Sequence, residues 1–147
     1  GKGRAILTVL TLLVFCACSS GPEPIRYGQD ACANCKMTLT DKRFGAEIVT
    51  QKGKVFKFDD LTCLVGALGN GSVAEKDIAQ IVTVDFKKTG TFVAVQSALF
   101  LYHDAIRSPM RADVASFSTQ SDLDAIKAEI GGGELMTWAA LRNMFQK

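Results

Sequence analysis

The sequence predicts an α+β fold with mainly antiparallel strands, built as two small ββα-type lobes behind an N-terminal signal and a flexible tether. Each half of the chain places residues of strand-forming type ahead of a segment with apolar residues at helical spacing, which indicates the two lobes. With 147 residues, 48% hydrophobic and 22% charged, the chain suits one compact domain or two small lobes sharing a core.

The first 17 residues predict a bacterial lipoprotein signal. A positively charged start and an apolar run (5–15) precede Cys16, Ala17 and Cys18 in the order of a secretory signal. Cleavage before Cys18 leaves small residues ahead of the cut, and a lipid on Cys18 would anchor the protein to a membrane in the cell envelope. A non-lipidated secreted protein and a single membrane anchor remain as alternatives, although the run is short for a membrane-spanning helix.

A tether is predicted over 18–30, because this segment contains Ser, Gly and two prolines and few residues that fill a core. The folded part would then lie outside the membrane, where disulfides are favoured. Once Cys16 and Cys18 are set aside, Cys32, Cys35 and Cys63 remain, and an odd number cannot all pair.

The first lobe is predicted over 31–77. Alternating apolar residues within 43–60 indicate two strands joined at a glycine turn. Apolar residues at helical spacing then predict a helix within 61–71, with Asp59 or Asp60 as its N-cap.

The second lobe is predicted over 78–147. It comprises β-rich segments at 78–86, 91–104 and 112–119, a helix at 122–130 capped from 118–121, and a last amphipathic segment at 135–145. The last segment is expected to pack inward through Leu135, Trp138, Leu141 and Met144 or Phe145.

Charge and motif content exclude several classes of function. Lys and Arg number 17 against 15 Asp and Glu, and the two basic residues of the signal account for the excess. The folded part therefore has no basic stripe for nucleic acid. It also contains neither a Ser/His/Asp set nor a phosphate-binding glycine loop, so an enzyme is not predicted.

The stretch ACANCKM (31–37) contains three sulfur-bearing residues, Cys32, Cys35 and Met37. If Cys35 opens the first strand, Cys35 and Met37 project from one face of it. A thiolate beside a thioether favours Cu(I), since zinc does not take thioethers. The alternative is a structural Cys32–Cys35 disulfide with Met37 filling the core, and the spacing alone does not decide between them.

Four further residues bear on a possible site. Met110 follows Pro109 in a turn without apolar periodicity, where its side chain would be held out of the core. His103, the only histidine, either completes a metal site or is a hydrogen-bonded residue at a strand edge. Cys32 either ligates or pairs with Cys35, and Cys63 is predicted to be a small, semi-buried helix residue.

Five motifs in order resemble the NosL family of nitrous oxide reductase accessory lipoproteins. They are C-x-x-C-x-M (32–37), RFGAEIV (43–49), FDDLTCL (58–64), SPMRADVASFST (108–119) and GGGELMTWAALRN (131–143). The resemblance implies two ββα-type lobes and a periplasm-facing protein that supplies Cu(I) for the copper centres of nitrous oxide reductase, together with an ABC-type maturation complex. It also implies Cys35, Met37 and Met110 as copper ligands. Relatives commonly have Gly where this chain has Lys36 and Arg111.

Two other functions remain open at this point. A thiol–disulfide oxidoreductase would use Cys32 and Cys35, although such pairs usually lie at a helix N-terminus. A structural zinc lobe would use Cys32, Cys35, Cys63 and His103.

Overall fold

The computed structural model of the protein describes residues 1–3 and 21–146. The predictions for residues 4–17 of the signal and for lipidation of Cys18 lie outside the described residues. Within these ranges, no helix has both the length and the apolar character needed to cross a membrane.

The described residues form seven strands and three α-helices. The strands are β1 (Ala46–Thr50), β2 (Val55–Phe58), β3 (Ile78–Val84), β4 (Phe92–Ala94), β5 (Leu99–Tyr102), β6 (Val114–Phe117) and β7 (Glu134–Met136). The helices are α1 (Leu61–Gly69), α2 (Gln120–Ile130) and α3 (Trp138–Phe145), with short 3-10 helices at Glu75–Asp77 and Asp104–Ile106.

The strands form two sheets whose paired neighbours are all antiparallel, which confirms the predicted fold class. The first sheet has the order β2-β1-β3-β4 and the second β6-β5-β7. β3 and β4 belong to the first sheet, so the sheets divide between β4 and β5, whereas the sequence analysis divides the lobes after residue 77. β3 joins the first sheet because it pairs along β1, a long-range contact that local patterning does not encode.

One apolar core connects the two sheets. It contains Ile48 of β1, Phe58 of β2, Leu64 of α1, Phe100 of β5 and Leu141 of α3, all almost fully buried. Burying such side chains contributes roughly 1.5–3 kcal/mol each. A second cluster covers the other face of β5 and β6, where α2 packs through Leu123 and Ile126.

The last amphipathic segment differs from its prediction. Residues 134–136 form edge strand β7, and the helix begins only after Thr137, whose hydroxyl accepts a hydrogen bond from the Ala140 N–H. Leu141 is buried as expected, but Leu135 is 55% exposed, so the prediction that it packs inward is wrong. Leu135 lies on the edge strand β7, whose one paired neighbour among the described residues is β5.

The described part of the predicted tether (18–30) packs against the first sheet instead of hanging free. The hydroxyl of Tyr27 donates to the Phe44 carbonyl at 2.6 Å, and Ile25 packs against the core. Gly45 has a φ of +139°, and a Cβ there would lie 2.8 Å from Ile25 Cδ1. A glycine at position 45 therefore leaves the space that Ile25 occupies, a match that composition does not reveal.

A buried carboxylate, Glu47 of β1, connects this segment to the sheet. Its Oε1 accepts a hydrogen bond from the Glu23 N–H at 2.8 Å, and it lies opposite Lys57 of β2. Lys57 in turn donates to Asp30 at 2.8 Å. Burial raises the pKa of Glu47 to about 7, because the charged form loses its hydration.

Candidate metal centre

Three cysteine thiols from two parts of the chain meet at one point. The Sγ atoms of Cys32, Cys35 and Cys63 all lie within 4.8 Å of one another. Cys32 and Cys63 are almost fully buried, and Cys35 is half-buried. Within the described ranges this is the single group of three or more His, Cys, Asp or Glu side chains arranged to hold a metal ion.

Cys63 enters the cluster from the first turn of α1. It is a helix residue as predicted, but it is buried and not semi-buried. The helix begins there because Asp60 caps it, its Oδ1 accepting from the N–H groups of Thr62 and Cys63. Cys63 lies off the apolar stripe of α1 in sequence. One signal in the sequence could have indicated a site here, namely a cysteine in the first helical turn after two aspartates. The sequence analysis considered Cys63 as a ligand only for the zinc alternative.

Residues 32–37, the thiol turn, hold Cys32 and Cys35 in a compact backbone reversal. The Cys32 N–H donates to the Met37 carbonyl at 2.8 Å, and the Lys36 N–H donates back to the Cys32 carbonyl at 3.0 Å. The turn is also bonded to β2, because the Ala33 N–H donates to the Lys57 carbonyl at 2.8 Å.

The turn replaces the strand predicted to open at Cys35. Lys36 has a φ of +68°, in the left-handed region, so Cys35 and Met37 do not alternate along extended backbone as the sequence analysis expected. Helix α1 permits a close approach at Gly66, where a Cβ would lie 3.1 Å from the side-chain amide nitrogen of Asn34.

Hydrogen bonds concentrate negative charge on Cys32. The Cys63 thiol and the backbone N–H groups of Cys35, Asp59 and Asn34 lower the pKa of Cys32 well below its ordinary value, despite its burial. The same contact raises the pKa of Cys63, since its proton is held by Cys32 and its thiol is buried. Burial also raises the pKa of Cys35.

An open groove of about 620 Å³ brings Met37 and Met110 together next to the thiol turn. Met37 is 60% exposed and Met110 39% exposed, which is unusual for methionine and leaves both thioethers accessible. The groove is lined by Lys36, Met37, Thr38, Thr40, Asp41, Asp59, Arg107, Pro109 and Met110. Burial and the negative charge at Cys32 raise the pKa of Asp59 to about 6.

Residues 107–113, the Met110 loop, are attached to α1 by the second oxygen of Asp60. Oδ2 accepts from the Ser108 hydroxyl at 2.8 Å, the Met110 N–H at 2.9 Å and the Ala112 N–H at 3.3 Å. The capping role of Asp60 is predictable from the sequence, whereas this second role is not, since its partners lie about 50 positions away in the chain.

The Met110 loop also has internal polar contacts. Ser108 Oγ accepts from the Asp113 N–H at 2.8 Å, and Asp113 accepts two hydrogen bonds from the Arg111 guanidinium at 3.0 Å each. Arg107, Arg111 and Asp113 all have left-handed φ values. Together with Lys36 they are the four non-glycine residues with positive φ among those the structure describes, so backbone strain is concentrated in the thiol turn and the Met110 loop.

His103 lies outside both the thiol cluster and the groove. Its Nδ1 accepts a hydrogen bond from the Ala105 N–H at 3.0 Å and caps the 3-10 helix Asp104–Ile106. This is the role of a hydrogen-bonded residue at a strand edge, the alternative given to metal ligation in the sequence analysis.

A model of one protein family, described as NosL, matches residues 26–144, which is most of the chain. The chain belongs to the NosL family. This confirms the resemblance drawn from the five sequence motifs.

The fold agrees with a solved NosL structure. The crystal structure of the copper chaperone NosL from Shewanella denitrificans matches with a TM-score of 0.65 and 20% sequence identity, over 82% of this chain and 94% of that chain. At this identity the likeness shows the NosL fold. A comparison with curated protein sequences gives no significant match.

Proposed function

We propose that this NosL protein is a metallochaperone that carries Cu(I) and is not an enzyme. Cys35, Met37 and Met110 are the proposed ligands of the carried ion. The observation that supports this most strongly is the shared groove, which is lined by two exposed methionines from distant parts of the chain. Cys35, which is half-buried, precedes one of them, Met37, by two residues.

The donor set favours a soft, monovalent ion. Thiolates and thioethers select Cu(I), whereas zinc takes thiolate, imidazole and carboxylate and is usually surrounded by four ligands. The Shewanella denitrificans relative is called a copper chaperone. Soft donors beside an accessible groove therefore fit copper better than zinc.

The openness of the groove suits transfer as well as binding. A carrier has to release its ion to a partner, and exchange is easiest when a new ligand can approach before an old one leaves. Met37 and Met110 are both accessible to an incoming donor. A closed four-ligand zinc-like cage would hold the ion without offering such an approach.

We infer the recipient and the location from the family resemblance. Nitrous oxide reductase would receive the copper with the help of an ABC-type maturation complex, and a lipid on Cys18 would anchor the carrier to a membrane on its periplasmic side. Transfer is measured by mixing the copper-loaded chain with copper-free reductase and the membrane complex. The expected outcome is copper in the reductase only when all three are present.

Anaerobic Cu(I) titration of the full chain against a competing chelator tests the ligand set. Cys16→Ala and Cys18→Ala are included throughout, so that no thiol outside the described residues contributes. Cys35→Ser is expected to abolish tight binding, and Met110→Leu to weaken it at least about tenfold, since even supporting residues of metal sites cost that much.

Met144→Leu is the matched control, because Met144 is partly buried against the core and does not line the groove. It should bind Cu(I) like the parent chain. Equal affinity in Met110→Leu and Met144→Leu would remove Met110 from the site. One firmly held zinc ion that Cu(I) does not displace would refute the copper assignment altogether.

Thiol–disulfide exchange is the second candidate, favoured by the lowered pKa of Cys32 beside the Cys63 thiol. An insulin-reduction assay distinguishes the two functions. Reducing activity that persists in the Met37→Leu/Met110→Leu double variant would favour exchange chemistry over copper carriage. We expect no activity above that of Cys35→Ser.

A further inference from the structure

We propose that Cys32, Cys35 and Cys63 form a second Cu(I) position in this protein, buried behind the groove, with Cys35 as a thiolate that bridges both ions. The proposal rests on the copper-carrying function proposed above. It assigns to Cys32 and Cys63 a role that the groove ligands do not require.

The spacing of the three sulfurs suits a trigonal site. Metal–sulfur bonds of about 2.3 Å place three sulfurs around one ion about 4 Å apart. The Sγ atoms lie within 4.8 Å of one another, so small side-chain rotations bring all three onto one ion. Side-chain adjustments of this size are less demanding than a shift of the backbone.

The surroundings stabilise a thiolate at Cys32 and shield two of the three sulfurs from water. The Cys35 N–H donates to Cys32 Sγ at 3.4 Å. Cys63 stands in the first turn of α1, where its thiol lies beside Cys32, and it would give up its proton on binding the ion. Cys32 and Cys63 are 1% and 2% exposed, so an ion bound there would be shielded from solvent competitors.

Cys35 is the member of the cluster closest in sequence to the groove. It is half-buried, and the next two residues, Lys36 and Met37, line the groove. A thiolate has several lone pairs and can bind two Cu(I) ions at once. Copper stays monovalent throughout, and each thiol that binds releases its proton to solvent.

Occupancy of both positions gives the chain a capacity of two Cu(I) ions with different exchange rates. The groove ion, held partly by exposed thioethers, would leave first. The buried ion, held by thiolates alone, would leave more slowly. A partner would therefore receive the groove ion readily, and the buried ion only if the partner binds Cu(I) more tightly.

The test is anaerobic titration of the full chain carrying Cys16→Ala and Cys18→Ala, with Cu(I) buffered by a weak chelator. We expect two equivalents, one released rapidly to a strong chelator and one at least about tenfold more slowly. Cys63→Ser should bind one equivalent, released at the rapid rate, with the groove affinity unchanged. Ala67→Ser is the matched control, because Ala67 is also buried in α1, and it should keep both equivalents.

X-ray absorption on the unsubstituted cluster gives a readout that does not depend on the folding of a variant. Short copper–copper scattering is expected at two equivalents and absent at one, because the bridging sulfur holds the ions close together. Saturation of the parent chain at one equivalent would overturn the second position.

The two proposals fail in different ways. If the parent chain binds one ion whose affinity falls in Met110→Leu but not in Cys63→Ser, the groove site stands and the buried position is wrong. If one ion remains whose affinity falls in Cys63→Ser and not in Met110→Leu, both assignments are wrong as stated. If no variant or parent chain competes with the chelator, copper carriage itself is refuted.

Discussion

The thiol turn (32–37) and the Met110 loop (107–113) present similar sulfur chemistry but are stabilised in different ways. The thiol turn is closed by its own backbone, through the paired hydrogen bonds between Cys32 and Met37 and between Lys36 and Cys32. The Met110 loop depends on side chains, above all the Asp60 carboxylate from another part of the fold. The loop should therefore respond more strongly to single substitutions than the turn.

The difference shows how the two halves of the groove are coupled. One carboxylate of Asp60 both caps α1, which carries Cys63, and binds the backbone of Met110. Displacing α1 would thus displace the methionine, whereas the thiol turn keeps its internal hydrogen bonds. Sites held by buried polar networks are stable when every group is satisfied and costly when one partner is lost.

Asp60→Ala should have the largest effect. It removes a helix cap and leaves several donors of the Met110 loop without an acceptor, so unfolding free energy should fall by about 3–5 kcal/mol. Cu(I) affinity should fall as well, because Met110 is no longer positioned. Guanidinium unfolding of the copper-free chain and chelator competition measure the two quantities.

Asp85→Ala is the control for Asp60→Ala. Asp85 is also buried, and it accepts hydrogen bonds from the Lys87, Lys88 and Ser118 backbones without lining the groove. It should destabilise the fold and leave Cu(I) affinity unchanged. The same loss of affinity in both variants would mean that Asp60 acts only through global stability.

The free energy of unfolding should depend on pH through Glu47, in the sheet to which the thiol turn is bonded. The turn is bonded to Lys57, which lies opposite buried Glu47, and the pKa of Glu47 is about 7 in the folded protein against an ordinary 4.5. Between these values the folded state holds more protons than the unfolded state, so stability should fall as pH rises from about 4.5 to 7 and level off above.

The expected decline from Glu47 is about 3 kcal/mol, and Glu47→Gln should remove it. Unfolding curves at a series of pH values measure the slope. An equal slope in the parent chain and in Glu47→Gln would show that another group controls this pH range.

Ser108→Ala should have an intermediate effect confined to the Met110 loop. It deletes the hydroxyl that donates to Asp60 and accepts from the Asp113 N–H. The expected cost is about 1–2 kcal/mol of unfolding free energy, with weaker Cu(I) binding. Ser116→Ala, which removes a buried hydroxyl bonded to Thr83, is the control that should leave copper binding unchanged.

The smallest effect is expected from glycine at the left-handed positions. Lys36→Gly should stabilise the fold by about 0.5–1 kcal/mol, because glycine adopts positive φ without the steric penalty of a side chain. Arg111→Gly should gain less, since it also loses the bidentate contact with Asp113. Thermal unfolding distinguishes them, and a larger gain for Arg111→Gly would contradict the role given to that contact.

Local features of the fold were predictable from sequence. The strand pair around Gly53, helix α1 with its aspartate cap and helix α2 all have signals within a few residues of where they form. The grouping of β3 and β4 with the first sheet was not predictable, because pairing partners are chosen by the whole core.

The site was predictable in its residue types and less so in its geometry. Met37 and Met110 were singled out from soft-donor chemistry and family resemblance, and the structure brings both to one groove. The thiol turn was not predicted because a left-handed φ is usually signalled by glycine, and here the residue with that φ is Lys36. The inclusion of Cys63 and the second role of Asp60 depend on contacts between distant segments.

If a lipid anchors Cys18, the packing of the N-terminal segment limits how far the domain can move from that anchor. The Glu23 N–H is already bonded to Glu47 of β1. The chain between Cys18 and Glu23 spans at most roughly 18 Å when fully extended. With a lipid on Cys18, the first sheet would stay close to the bilayer surface, and hand-over of cargo would favour acceptors standing on the same leaflet over those diffusing freely in solution.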